Sequence, residues 1–273
     1  MSARPSLAQP KTMVTERHIL GMAEMGYRGL SEQWLLRRAG DLHWRLIAKA
    51  MGQTETIFTC AKGEPLYAAF RSTSLRLTRP EASYLGGELQ LSGELYRTAQ
   101  GQLASRQTIT LDGEVIGDLT LASTFVGRSA DGSNRTIVRR SPKALAVPPD
   151  APVLVQRIVD RGAAAARRML QGKQAWIEDA RGVEILPCPS TDFNAAGLLY
   201  FPSYSALSDR ALFQAGETQS NLIAAREVSY VGNVEPGEIV TTTFKRFARG
   251  YFVGMFGAQI RPLAVMRIRV IKH

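Results

Sequence analysis

The residues from Asp192 to Asp209 combine a polar turn, small residues and an apolar run, a pattern suited to reaction at a carbonyl group. Two alanines follow Asn194, and Gly197 opens a stretch rich in leucine and aromatic residues. We expect a buried helix after Gly197, because the stretch is apolar on nearly all sides. The start of such a helix carries unpaired N–H groups, which stabilise charge developing on a carbonyl oxygen. A tight turn is the alternative role for Gly197.

An earlier stretch has the same character. Gly29 and Leu30 stand at the start of a predicted helix from Leu30 to Ala50, and Ser31 is placed to cap it. Strands are predicted over 12–20, 56–61, 66–77, 87–98, 103–111 and 114–126. One long helix followed by an antiparallel run predicts a sheet curled around the helix.

The pattern of the first half returns in the second half. Gly29 aligns with Gly197, and Gly87 aligns with Gly237, with an offset that decreases as shorter loops would require. We therefore predict an internal duplication in an α+β fold. The predicted divisions are a disordered tail over 1–11, halves over 12–127 and 175–273, and between them a linker with an outer helix over 128–174.

Composition limits the class of protein. Hydrophobic residues make up 45% of the 273 residues, and no apolar run approaches the ~20 residues of a membrane span. The two cysteines lie far apart and the three histidines form no cluster, which indicates a reducing cytoplasm and no metal site. The net charge of +10 suits nucleic acid, a phosphate-rich cofactor, an acidic carrier protein or solubility alone.

The motif Asp-x-Asn-x-x-Gly from Asp192 to Gly197, followed by Tyr204, resembles the helix start of hot-dog-fold thioesterases. In that family the second acid of the motif is often catalytic, and Asn194 stands in its place here. The longer string Asp-Phe-Asn-x-x-Gly-Leu-Leu-Tyr-Phe-x-x-Tyr resembles the double-hot-dog family of the leinamycin-pathway acyltransferase/decarboxylase. This resemblance implies a double hot-dog fold, two curled antiparallel sheets that each wrap around a long central helix.

The same resemblance implies an enzyme that decarboxylates a methylmalonyl- or malonyl-type coenzyme A thioester. The resulting acyl group would pass to an acyl carrier protein in polyketide-type biosynthesis, with coenzyme A or phosphopantetheine as the carrier. Sites of this fold usually lie between the halves, near the helix N-termini. The binding residues expected there are Gly29, Leu30, Ser31, His43, Gly197 and Leu198. The expected catalytic residues are Tyr67, which would carry the acyl group, and Asn194, which would hold the substrate carboxylate or carbonyl.

Structural roles remain open for several of these residues. Ser31 suits helix capping, Asn194 a brace for its turn, and His43 and Tyr67 suit packing in the core. Rival tyrosines for the acyl carrier are Tyr27, Tyr200 and Tyr204. Any such phenol needs activation by neighbouring groups, because its ordinary pKa is near 10.

The same residues allow four other functions. A thioesterase would need a water activator other than the missing acid, and a non-catalytic module would only bind acyl carrier proteins. Nucleic acid, through the basic stretch 135–143, is not favoured because most basic residues are scattered. A dehydratase of this fold would need a histidine beside a helix start. A homodimer remains open, and divergence between the halves favours one working site per chain.

Overall fold

The computed structural model describes residues 12–129, 132–143, 145, 147–172, 176, 181–217 and 221–272. The predicted tail over 1–11 lies outside the described residues. The N-terminal half contains β1 (Met13–Ile19), β2 (Met25–Gly26), β3 (Gly29–Leu30), α1 (Glu32–Ala50), β4 (Phe58–Thr59), β5 (Pro65–Leu77), β6 (Glu88–Arg97), β7 (Leu103–Leu111), β8 (Glu114–Arg128) and β9 (Ile137–Arg139). The rest contains α2 (Val153–Gln171), β10 (Arg181–Ile185), α3 (Pro189–Asp192), α4 (Phe201–Gln214), β11 (Asn221–Tyr230), β12 (Val240–Phe247), β13 (Gly250–Gly257) and β14 (Arg261–Lys272).

The main sheet runs in the order β1-β6-β7-β8-β5-β11-β14-β13-β12-β10, with antiparallel pairing throughout this path. Each half has the same plan, a strand, a helix and then four strands, and the two sets of strands appear in mirrored order. The halves join where β5 pairs with β11, with Ser72 opposite Ser229. This arrangement confirms the predicted double hot-dog fold, with the two curled sheets continuous through that pair.

The N-terminal sheet curls around helix α1, because one face of the helix is apolar and packs against the sheet. Leu35, Leu42 and Leu46 on that face are fully buried. The helix approaches β6 closely at Gly93, where a Cβ atom would lie 2.4 Å from Leu42 Cδ2. The predicted cap is present, since Ser31 Oγ accepts a hydrogen bond of 3.3 Å from the Trp34 N–H.

Helix α4 begins at Phe201, three residues later than the predicted start just after Gly197. The intervening residues form a turn in which Gly197 has a φ of +71°. Asn194 Oδ1 accepts hydrogen bonds from the backbone N–H groups of Ala196 and Leu198, so these residues are held outside the helix. Pro202 then lies in the first turn of the helix, where its missing N–H costs nothing.

Helix α2 covers the outer face of the sheet and lies within 128–174, the part of the chain in which an outer helix was predicted. It contacts β5 and β11 most closely at Gly162, whose carbonyl accepts a hydrogen bond of 2.9 Å from Ser229 Oγ. β9 also lies in the predicted linker and pairs with the end of β8, and the domain divisions themselves stay predictions. None of the described helices has the length and apolar composition needed to cross a membrane.

Candidate active site

A cavity of about 710 Å³ lies where the two halves meet. Its walls come from α1, β5, the end of β8, β9 and the segment just before it, and the turn that precedes α4 together with the start of α4. Its aromatic lining consists of Trp44, Phe58, Tyr67, Phe70, Phe193, Tyr200, Phe201, Tyr204 and Tyr230. The rings of Phe70 and Phe201 lie 4.2 Å apart between centroids, so β5 and α4 are in direct contact in this wall. The volume is within the ordinary range for small-molecule sites.

The cavity brings together three of the predicted site residues, Tyr67, Asn194 and Leu198. Tyr67 lies near the start of β5, opposite Val126 of β8, and is half-buried. Ala68 and Ala69, which follow it, also line the cavity and leave space beside the phenol. The roles of Tyr67 and Asn194 in a reaction stay predictions.

The turn before α4 does not offer the free N–H groups that were expected of it. The Gly197 N–H donates to Asn194 O at 2.8 Å, and the Leu198 N–H donates to Asn194 Oδ1 at 3.1 Å. Both N–H groups are therefore paired within the turn in this structure, and their role in polarising a carbonyl stays a prediction. Asn194 Oδ1 is used as a brace, whereas its Nδ2 makes no hydrogen bond to another described residue. Asn194 can thus offer the cavity a donor.

Five predicted binding residues are not among those that line the cavity: Gly29, Leu30, Ser31, His43 and Gly197. The first two form β3, and Ser31 caps α1. His43 is fully buried between the hydroxyl groups of Ser105 and Ser123, each 2.8 Å from a ring nitrogen. Burial lowers the pKa of His43 to about 3, so the ring is neutral at physiological pH. None of these five residues lines the cavity, and their predicted contact with a thioester stays a prediction.

The rival tyrosines are poorly suited to nucleophilic attack. Tyr27 lies outside the cavity and is 98% exposed. Burial raises the pKa of Tyr200, with Arg37 opposing the shift. Burial also raises the pKa of Tyr204, whose hydroxyl donates to Gly232 O at 2.7 Å. A raised pKa reduces the fraction of phenolate, which leaves Tyr67 as the best-placed candidate.

Four arginines line the cavity: Arg37, Arg71, Arg135 and Arg139. Arg135 is 3.0 Å from Glu238, but no described residue forms an ion pair with the other three. Arg71 is the extra residue of a β-bulge in β5, a feature that redirects a side chain. Burial, and then the charge of Arg139, lower the pKa of Arg71. These unpaired cations suit an anionic ligand.

Among the described residues that line the cavity, none carries a carboxylate or an imidazole. The motif residue Asp192 is buried outside the lining, where its Oδ2 accepts from the Cys188 N–H at 2.8 Å. Arg210 approaches the same oxygen at 3.5 Å. Asp192 therefore stabilises the chain before α4, and we find no side-chain base for water among the described lining residues.

Asn134 was missed by sequence reasoning, which treated its segment as a linker. The side chain is 3% exposed and its Nδ2 donates to Gly197 O at 2.7 Å and to Val234 O at 3.0 Å. Its backbone N–H donates to Glu235 Oε1 at 2.7 Å. These bonds attach the segment bearing Arg139 to the turn before α4. The basic character of residues 135–143 was the only sequence signal for this wall.

The start of α1 has a different environment from the start of α4. The first residue of α4, Phe201, packs on Phe70 of β5. The first residue of α1, Glu32, instead forms an ion pair of 2.8 Å with Arg226 of β11. Arg226 is 1% exposed, and it also contacts Asp209 at 2.6 Å. Charged side chains thus occupy the position that corresponds to the cavity in the other half.

Comparisons with known proteins identify the fold. No protein-family model matches the sequence, and no curated protein matches it significantly. Among solved structures, the chain is similar to a 12:0-ACP thioesterase from Umbellularia californica, with a TM-score of 0.67 and 10% identity over 98% of this chain and 100% of that one. An acyl-ACP thioesterase from Bacteroides thetaiotaomicron has a TM-score of 0.65 and 9% identity over 95% and 98% of the two chains. A Lactobacillus plantarum protein assigned as an oleoyl thioesterase has a TM-score of 0.65 and 12% identity over 96% of each chain. At these identities the likeness shows a shared hot-dog fold.

Proposed function

We propose that this protein is an enzyme that acts on acyl thioesters of an acyl carrier protein or of coenzyme A. The observation that carries the proposal is the cavity between the halves, which combines an aromatic interior with three arginines, Arg37, Arg71 and Arg139, that form no ion pair with a described residue. An acyl chain is stabilised by burial against the aromatic lining. The phosphate of a phosphopantetheine arm, or a carboxylate on the acyl group, is stabilised by guanidinium groups.

Hydrolysis of the thioester is the first candidate reaction. It is supported by the names of the three similar structures, which are all thioesterases. In this reaction Asn194 Nδ2 would donate to the carbonyl oxygen as negative charge develops on it. Water would attack without a carboxylate or imidazole from the described lining, which is the weak point of this candidate.

Decarboxylation followed by acyl transfer is the second candidate, and the same lining favours it. Cleavage of the bond between the α-carbon and the carboxylate of a malonyl-type thioester releases carbon dioxide and leaves an enolate, a step that needs no base. A donor such as Asn194 Nδ2 stabilises the enolate oxygen, and protonation of carbon then gives the saturated acyl thioester. The Tyr67 oxygen would take the acyl group as the thiol leaves, and a carrier-protein thiol would take it from Tyr67.

The reactions are separated by incubating the protein with octanoyl-, malonyl- and methylmalonyl-coenzyme A. Free thiol, carbon dioxide and intact protein mass are measured for the wild type, Tyr67→Phe and the matched control Tyr27→Phe, which changes a phenol outside the cavity. Thiol release from octanoyl-coenzyme A with no protein adduct supports hydrolysis. Carbon dioxide release with an acyl adduct that Tyr67→Phe loses and Tyr27→Phe keeps supports transfer. If none of these thioesters reacts, whether the acyl group is attached to coenzyme A or to a carrier protein, the proposal that the protein is an enzyme is wrong.

A further inference from the structure

A second cavity, of about 400 Å³, lies on the opposite side of the sheet, beneath α2. We call it the outer groove and define it by residues of α2, of strands β5, β11, β13 and β14, and Trp176. It arises because α2 touches the sheet at Gly162, where a Cβ atom would lie 2.9 Å from Ser72 Cβ. Beyond that contact the helix presents Ala164 and Ala165, which are too short to fill the space.

The walls of the outer groove are apolar and partly aromatic. Trp176 lies against Gly254 of β13, where a Cβ atom would be 3.1 Å from the indole ring. Phe252 and Val265 also line the groove. Phe252 is 40% exposed, which is unusual for a large aromatic side chain beside a cavity. A flat or chain-like apolar body fits between these side chains.

The rim of the outer groove is positively charged. Three arginines line it, Arg161, Arg168 and Arg267, whereas Glu227 is its single acidic residue among those described. Glu227 is 3.3 Å from Arg161. No described residue forms an ion pair with Arg168 or Arg267, and the Arg267 guanidinium lies over the Phe247 and Phe252 rings. Among the described residues, the rim of the groove therefore carries more positive than negative side chains, and it lies beside an apolar wall.

Ser72 lies in the floor of the outer groove and is 8% exposed. Its neighbour across the strand pair, Ser229, donates a hydrogen bond to Gly162 O at 2.9 Å. A hydroxyl group both donates and accepts hydrogen bonds, so Ser72 adds a polar group to a groove whose walls are mainly apolar.

We propose that the outer groove binds a small monocarboxylate with an apolar body, at a site separate from the cavity between the halves. The carboxylate lies between Arg168 and Arg267, the body lies between Trp176 and Phe252, and the Ser72 hydroxyl donates to the ligand. At about 30 Å³ for each water-sized group, the groove holds on the order of ten non-hydrogen atoms. Its blocked end at Gly162 limits the length of the ligand.

The probe is octanoate, measured by isothermal titration calorimetry with an Ala69→Phe variant that obstructs the main cavity. We expect one octanoate per chain, at least tenfold weaker binding of 1-octanol, and at least tenfold weaker octanoate binding when Arg168→Gln and Arg267→Gln are combined. The matched control is Arg157→Gln, which changes an exposed arginine of α2 outside the groove. Affinity within twofold of the parent is expected for this control.

No binding to the Ala69→Phe protein, or equal losses in the groove variants and in Arg157→Gln, would overturn the proposal. If Ala69→Phe does not fold, amide spectra of the wild type decide instead. Octanoate should shift the Gly162 and Gly254 signals in the groove, and shifts confined to Gly232 of the main cavity would count against the site. Thioester turnover should be unchanged in Arg168→Gln, so this test is independent of the proposed reaction.

Discussion

Replacement of Arg226 by methionine tests the charged cluster that connects β11 to the two helices. The guanidinium contacts Glu32 at 2.8 Å and Asp209 at 2.6 Å, and it donates to Ser208 Oγ at 2.6 Å. Methionine keeps much of the packing but leaves the Glu32 carboxylate, which is 12% exposed, without its cation. Removing one partner of a buried ion pair costs about 3–5 kcal/mol. Asp209 is 42% exposed and is expected to add little.

The loss of stability in Arg226→Met should depend on pH, in a direction set by the pKa of Glu32. Burial raises the pKa of Glu32, and the charge of Arg226 opposes that shift. Without Arg226 the pKa of Glu32 should rise further, so the folded variant binds this proton more tightly than the unfolded chain does. The stability gained from that proton is present below the ordinary glutamate pKa and is lost as the pH rises through the raised value. Arg226→Met should therefore be most destabilising at pH 7.5 and less so at pH 5.

Urea denaturation at pH 7.5 and pH 5 measures the difference in unfolding free energy between Arg226→Met and the wild type. Adding Glu32→Gln to Arg226→Met removes the unpaired charge and should recover at least half of the loss at pH 7.5. Equal losses at the two pH values, with no recovery in the double variant, would refute the electrostatic explanation and assign the effect to packing.

Three other substitutions test separate features. His43→Gln should reduce the dependence of the unfolding free energy on acid pH. The wild type loses up to about 5 kcal/mol as the pH falls from 6.5 toward 3, because the buried ring must take a proton. Urea denaturation at a series of pH values measures this dependence, and an unchanged slope of unfolding free energy against pH contradicts the prediction. Gly40→Ala should lower stability by about 1–3 kcal/mol in thermal unfolding, because its methyl would lie 2.7 Å from Phe201 Cε1. Asn134→Ala should cost about 2 kcal/mol and reduce thioester turnover at least tenfold, because the Gly197 carbonyl loses its donor; normal turnover would show that this segment does not position the site.

Much of the fold can be predicted from the sequence because the strands have strong local signals. The range predicted for one strand was 66–77, and β5 spans Pro65–Leu77. Alternating burial along β5 and β6 follows the alternation of apolar residues that was used for the prediction. The start of α4 was less predictable, because the apolar pattern is the same in a helix and in the braced turn that Asn194 forms.

The site could be predicted only in part, because its walls come from distant parts of the chain. Tyr67 and Asn194 were found from local motifs, and the structure places both in one cavity. Asn134 carries no local motif, and its position depends on contacts with residues about a hundred positions away, such as Val234. Arg139 also carries no local motif, and it pairs with Val126 of β8. Gly29 was assigned by analogy between the halves, which assumes that both helix starts do the same chemistry.

The analogy between the starts of α1 and α4 fails at β5 and β11, the two strands that join the halves. β5 places Phe70 against Phe201 at the start of α4, and Ala68 and Ala69 also line the cavity there. β11 places Arg226 beside Glu32 at the start of α1, where the two side chains form an ion pair. A buried ion pair needs both partners, so neither residue can change alone without a large loss of stability. The duplication can therefore keep one fold in both halves while different side chains stand at the two helix starts, so equal chemistry at both starts does not follow from it, and one working site per chain stays a prediction.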